Sequence, residues 1–228
     1  MTRTRRAAAA EAVAPEPPRD CPLCPRLVEY RAENAADHPD WFNGAAPSFG
    51  DADARLLVVG LAPGRTGANR TGRPFTGDWA GDLLYPTLAK YGFSTGRFDP
   101  DGHDDLALKD AMITNAVRCV PPQNKPIGQE MANCRAFLAA RIAALPRLEV
   151  MIALGRVAHE NVLKALGLRL ADHAFAHGAE HLLEGPNGPL TMVDSYHCSR
   201  YNTNTGRLTE AMFHAVFERA RLVLGRRR

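Results

Sequence analysis

The sequence predicts an α/β protein: a three-layer α/β/α sandwich with a central, mostly parallel four-stranded sheet. Three observations carry that expectation. Four short runs, at 55–60, 111–115, 149–154 and 190–194, are nearly continuous in Val, Leu, Ile and Met, the pattern of strands covered on both faces. Longer stretches with helical spacing alternate with them, which implies parallel strands joined by crossovers. The 228 residues, 45% hydrophobic and 23% charged, supply one sizeable core but not two full domains.

Taken in order, residues 1–20 are rich in Arg, Ala and Pro with, after Met1, no apolar side chain larger than Val13, and read as a disordered tail. Residues 21–228 then form a single domain. The first strand, 55–60, runs into a glycine- and arginine-rich loop and a helix expected over 79–91. The second, 111–115, leads to a helix over 128–145, and the third, 149–154, to one over 156–166. Residues 180–189, with Gly185-Pro186-Asn187-Gly188, read as a hairpin turn or loop before the last strand. A final helix is expected over 205–224, with Thr205 or Thr209 as its cap. In such a sheet, ligands bind beyond the carboxyl ends of the strands, so the segments just after them are the place to look for chemistry.

Composition excludes several classes. No apolar run approaches the roughly 18 residues needed to cross a bilayer, so no membrane association is expected. Five cysteines in a chain of this length do not suit a disulfide framework and fit a reducing cytosol. A net charge of +3 argues only weakly for nucleic acid, although only four of the 28 cations are lysine and the rest are arginine, the better bidentate partner for phosphate.

Cys21 and Cys24 form a C-x2-C knuckle, stiffened by Pro22 and Pro25, that can converge with Cys119 and Cys134 on one centre. The spacing leaves a [4Fe–4S] cluster, a four-thiolate zinc site and buried thiols all open, the last being weakest because a proline-flanked loop has little core to fill. Cys198 stands apart, either as a small packing residue or near the active site. The loop from Gly60 to Asp78 fails both nucleotide-binding glycine templates. Phe75, held between Pro74 and Thr76-Gly77 with Asp78 three residues on, instead suggests a stacking platform for a planar base. His197 follows the last strand and precedes a polar loop, a position that favours chemistry over packing. His103, His159, His173, His177, His181 and His214 have no such context and receive no role.

Four motifs in order resemble the uracil-DNA glycosylase superfamily, specifically its family 5, the UDGb type with an iron–sulfur cluster. They are Gly60-Leu61-Ala62-Pro63, the stretch from Gly72 to Asp78, the stretch from Thr114 to Pro122, and His197-x-Ser199. The resemblance extends from Cys21 to about Phe213. It implies a uracil-DNA glycosylase-like fold and a [4Fe–4S] cluster held by Cys21, Cys24, Cys119 and Cys134. It implies a base-excision repair enzyme that hydrolyses the N-glycosidic bond of uracil flipped out of DNA. Gly60, Leu61 and Ala62 would shape the uracil site, Phe75 would stack on the base and Asn115 would read its edge. His197 would donate toward the uracil O2, and Asp78 would stabilise the sugar cation and orient water. Arg70, Arg73, Ser199, Arg200 and Tyr201 would contact DNA, with Arg200 and Tyr201 forming the wedge that fills the gap left by the base.

Most other families place a polar or acidic residue in the first motif, where this chain has Leu61 and Ala62. A broader pocket follows, with hypoxanthine and xanthine as further candidate bases. The implied partner is DNA carrying uracil or other deaminated bases, and the protein is expected to be a monomer in the cytoplasm, associated with the nucleoid. Two other readings compete: a non-catalytic iron–sulfur nucleic-acid-binding protein on the same scaffold, and a zinc-stabilised α/β enzyme acting on free nucleotides.

Overall fold

Leu56, Leu57, Val58 and Val59 bury every side chain, and because successive residues of a strand point to opposite faces, such a strand requires cover on both. It receives that cover in the computed structural model, which describes residues 13–226. The first half of the chain forms α1 (Pro25–Asp37), β1 (Phe49–Gly50), β2 (Leu56–Gly60), α2 (Ala68–Thr71), α3 (Trp79–Lys90), β3 (Ser94–Thr95), β4 (Ala107–Leu108) and β5 (Ala111–Asn115). The second half forms α4 (Gly128–Ala143), β6 (Val150–Leu154), α5 (Arg156–Ala165), β7 (Glu180–Gly185), β8 (Gly188–Ser195), α6 (Arg200–Asn204) and α7 (Glu210–Arg226).

The main sheet runs β1-β5-β2-β6-β8-β7. The four expected strands form its parallel centre. The expected count of four is corrected to six, because β1 and β7 pair antiparallel at the two edges. β1 has only two residues, too short for any periodicity to register. β7 alternates exposed and buried side chains, as an edge strand with one wet face does, and the turn between it and β8 is confined to Pro186 and Asn187.

Leu56 and Val58, with Ile113, Ile152 and Val193, pack under Leu84 and Leu88 of α3 and Phe213 and Phe217 of α7. Leu57 and Val59, with Met112, Met151 and Met192, pack under Leu138 and Ile142 of α4 and Val162 and Leu163 of α5. Each such side chain contributes about 1.5–3 kcal/mol on burial. Three layers therefore follow from the alternation along one strand.

Helix boundaries follow local chemistry. The helix expected over 205–224 starts later, at Glu210, after a separate short helix: Ser199 caps α6, Gly206 adopts a left-handed φ of 69°, and Thr209 accepts from the Met212 amide to start α7. Sequence periodicity did not reveal α1, which starts on Pro25 and buries only Leu27, Arg31 and Asn34. The expected disordered tail falls partly on residues 1–12, outside the described residues. Residues 13–20 correct it: Glu16 is ion-paired to Arg118 and Arg141 and accepts from the Ser48 amide, fastening this segment to the body. No helix among the described residues is long and apolar enough to cross a membrane.

Candidate active site

The parallel strands end level with one another, Gly60 of β2 opposite Asn115 of β5 and Leu154 of β6 opposite Ser195 of β8. A Cβ at Gly60 would lie 2.4 Å from the Asn115 Oδ1 and 2.6 Å from the Phe75 ring, so only glycine lets the amide and the ring meet there. The loop beyond Gly60 delivers Phe75 in a left-handed conformation with φ 60°, unusual for a bulky residue. Gly81 packs against it so closely that a Cβ would sit 1.8 Å from the Phe75 carbonyl oxygen. Asp78 caps α3, its Oδ1 accepting from the Gly81 amide at 3.2 Å. His197 arrives from the end of β8, its ring centroid 6.1 Å from that of Phe75 and tilted by 26°.

Phe75, Asp78, Asn115 and His197 line one cleft of about 920 Å³, together with Leu61, Ala62, Ser199 and Arg200. Burial pushes the His197 imidazole down to about 4, so the ring is neutral near pH 7 and offers a hydrogen-bond donor without a full charge. Burial also raises the Asp78 carboxyl above its usual range, against the opposing pull of the Gly81 and Ala80 amides. Because one oxygen is engaged as a helix cap, the other is left facing Gly64 and Gly67 at the cleft wall. The Asn115 side chain is 97% buried yet forms no hydrogen bond with the described residues, leaving its donors and acceptor for a ligand. Cys198 is fully buried, its sulfur against the Ala80 carbonyl oxygen, and burial pushes its thiol far up, as suits a packing residue.

Residues 47–221 match the sequence profile of the Uracil DNA glycosylase superfamily. The chain belongs to that superfamily. It is 46% identical over 211 residues to a type-5 uracil-DNA glycosylase of Thermus thermophilus, covering 90% of this chain and 94% of that one. A type-5 uracil-DNA glycosylase of Pyrobaculum aerophilum is 38% identical over 205 residues, 88% of each chain. The similarity to a type-4 uracil-DNA glycosylase of Archaeoglobus fulgidus is lower, 30% over 152 residues, 66% of this chain and 68% of that one.

Not every residue singled out for this uracil-DNA glycosylase superfamily member reaches the cleft. Arg73 is the main correction: its guanidinium makes two bonds to Asp104, at 2.7 and 2.6 Å, and is enclosed by the rings of Phe49, Tyr85 and Phe98. It holds the loop in place and does not line the cleft. Arg70 is likewise turned from the cleft, toward Asp101 and the Thr66 carbonyl. Tyr201 stands 71% exposed on α6 beside Arg200, whose guanidinium lies 5.6 Å above the Trp79 ring. The sequence reading missed Tyr30, Arg65, Trp79, Gln123 and Asn124, all of which line the cleft. Gln123 and Asn124, at φ 55° and 56°, lie in a proline-flanked turn that offered a signal; Tyr30 offered none, because α1 itself was not seen.

Cys21, Cys24, Cys119 and Cys134 line a single small cavity with Leu27, Asn133 and Phe137. Burial raises the Cys119 thiol to about 12 and the Cys134 thiol to about 11. The Arg118 amide points at the Cys134 sulfur at 3.4 Å and the Asn133 side-chain amide at the Cys24 sulfur at 3.5 Å. Among the described residues, the one set of three donors all within 4.8 Å of one another is His159, His181 and Asp194, so no three of the four sulfurs lie that close together.

Proposed function

We propose that this protein removes uracil from DNA by hydrolysing its N-glycosidic bond, the first step of base-excision repair. The single observation carrying the reading is the convergence of Phe75, Asp78, Asn115 and His197 on one cleft, although 122 residues of sequence separate the first from the last. A base in duplex DNA is unreachable, so the nucleotide is extruded into the cleft. Phe75 stacks on the uracil face. The Asn115 amide, free of protein partners, accepts from the uracil N3–H and donates to a carbonyl oxygen, and a base with a different edge would leave it unpaired.

As the glycosidic bond lengthens, negative charge grows on the uracil and positive charge on the sugar. Neutral His197 donates to the uracil O2 and stabilises the leaving anion. The ionised Asp78, through the oxygen not used by the helix cap, faces the sugar cation and holds the attacking water. Arg200 and Tyr201, exposed at the lip on α6, take the place of the extruded base, and Ser199 and Arg65 contact the backbone. Leu61 and Ala62 present no polar side chain to the base, so hypoxanthine and xanthine are accepted as well. The enzyme acts as a monomer on DNA in the cytoplasm.

The four cysteines suit a [4Fe–4S] cluster better than zinc. A tetrahedral zinc ion with bonds of about 2.3 Å would draw its sulfurs to about 3.8 Å from one another, whereas no three of these lie within 4.8 Å of one another. Thiols with pKa values this high ionise only when metal takes the proton's place, and two N–H groups already aim at the sulfurs. The bound cluster would supply rigidity at the corner where α1, α4 and the loop after β5 meet; hydrolysis moves no electrons.

Base release from a uracil-containing duplex, compared between the wild type and Asp78→Asn, tests the reading. Release at least 100-fold slower in the variant, with duplex binding retained, is expected. Equal rates would exclude the assignment of Asp78.

A further inference from the structure

A second cluster lies behind the active site. Asp194 of β8, fully buried, is flanked by two imidazoles: its Oδ1 lies 2.8 Å from the His159 Nδ1 of α5 and its Oδ2 lies 2.9 Å from the His181 Nε2 of β7. The donor atoms of the three residues all fall within 4.8 Å of one another. His159 decides how to read the group. Its Nε2 lies 3.0 Å from the His173 carbonyl oxygen, which only accepts, so Nε2 carries the proton. What remains is the contact of Nδ1 with the carboxylate oxygen at 2.8 Å, which needs a cation between the two atoms, either a second ring proton or a metal ion.

We propose that this cation is a divalent zinc-class ion, held by His159 Nδ1, His181 Nε2 and Asp194. Two imidazoles and one carboxylate form a recurrent donor set for zinc. The His173 carbonyl fixes the His159 tautomer in the manner of the outer partners of metal-bound histidines. Ligand atoms about 2.1 Å from a tetrahedral centre stand about 3.4 Å apart, so the 2.8 and 2.9 Å spacings would open by about half an ångström to admit the ion. The three ligands come from a helix and two strands, so the ion ties α5 to the outer edge of the sheet. It also ties down the segment over 173–179, because the Asp194 backbone bonds to Gly178 and Ala179. That segment carries His177, whose Nδ1 accepts from the Tyr196 amide, immediately before His197. The site is therefore structural and lies outside the cysteine corner; it goes beyond the glycosylase reading and does not depend on it.

The test uses the full chain with its cysteine centre intact, equilibrated with zinc(II) and desalted. Zinc and iron per chain are measured in the wild type and in His181→Gln, a change on an edge strand, and the zinc absorption edge gives the ligand shell. The expected result is about one zinc more per chain in the wild type than in the variant, with iron unchanged and a nitrogen and oxygen shell for the zinc that is lost. Zinc should also raise the melting temperature of the wild type and not of the variant. No retained zinc, equal zinc in both proteins, or a shell of sulfur alone would overturn the proposal and assign the bridge to a proton.

Discussion

Asp78 caps α3 through one oxygen, and in the mechanism proposed above it acts through the other; substitution separates the two. Asparagine caps helices as well as aspartate does, so Asp78→Asn keeps the start of α3 while removing the charge that faces the cleft. The carboxyl is raised by burial, so its ionised form is less favoured in the folded protein than in the unfolded chain. It therefore costs stability as pH climbs through and above the ordinary carboxylate range. Asp78→Asn should melt no lower than the wild type at pH 7 while base release falls by about 10²–10⁴. In the wild type, the acid limb of the pH–rate profile should fall above the ordinary carboxylate range; His197, at about 4, stays neutral over the working range. Gly60→Ala is a second residue-scale case. The added carbon meets Asn115 and Phe75 at 2.4 and 2.6 Å, so overpacking should cost about 1–3 kcal/mol. A displacement of the ring by about 1 Å should slow release by roughly 100-fold, measured in single turnover.

At the scale of elements, the segment over 13–20 acts as a clasp. Arg118 is 1% exposed and adjoins Cys119, and Glu16 is its ion-pair partner. Burial raises the Glu16 carboxyl, but Arg118 and the bonds from Ser48 and Arg141 outweigh it and hold the group below its usual range. The stability this provides is present above the ordinary value of 4.5 and is lost as pH falls below it. Glu16→Ala leaves a buried guanidinium unpaired and should lower stability at pH 7 by about 1–3 kcal/mol, with the difference from wild type shrinking on acidification in thermal melts. On α6, Tyr201→Ala should weaken binding to duplex more than release from single-stranded uracil DNA, since only the duplex needs a wedge. If both substrates suffer equally, Tyr201 does not insert.

For the whole molecule, the sequence made the buried centre legible and left the edges obscure. Strands β2, β5, β6 and β8 announce themselves because burial on both faces makes them continuous in apolar residues. β1 and β7 do not, because a two-residue strand has no period and an edge strand exposes half its side chains. The four side chains of the cleft were legible because each follows a strand end or a glycine turn. Tyr30 and Trp79 were not, because their position depends on tertiary packing of α1 and α3 against that edge. Arg73 misled because its acidic partner, Asp104, is distant in sequence. With a net charge of only +3, affinity should depend on local cations in place of the global field. Arg200→Ala should make the slope of log affinity against log salt shallower by about one.

The glycine at the end of β2 has a historical consequence. Because any side chain at this glycine would collide with both Asn115 and Phe75, no single substitution there can reshape the cleft without displacing one of them. Divergence toward other lesions is therefore easier at Leu61 and Ala62, which line the same cleft and can change one at a time.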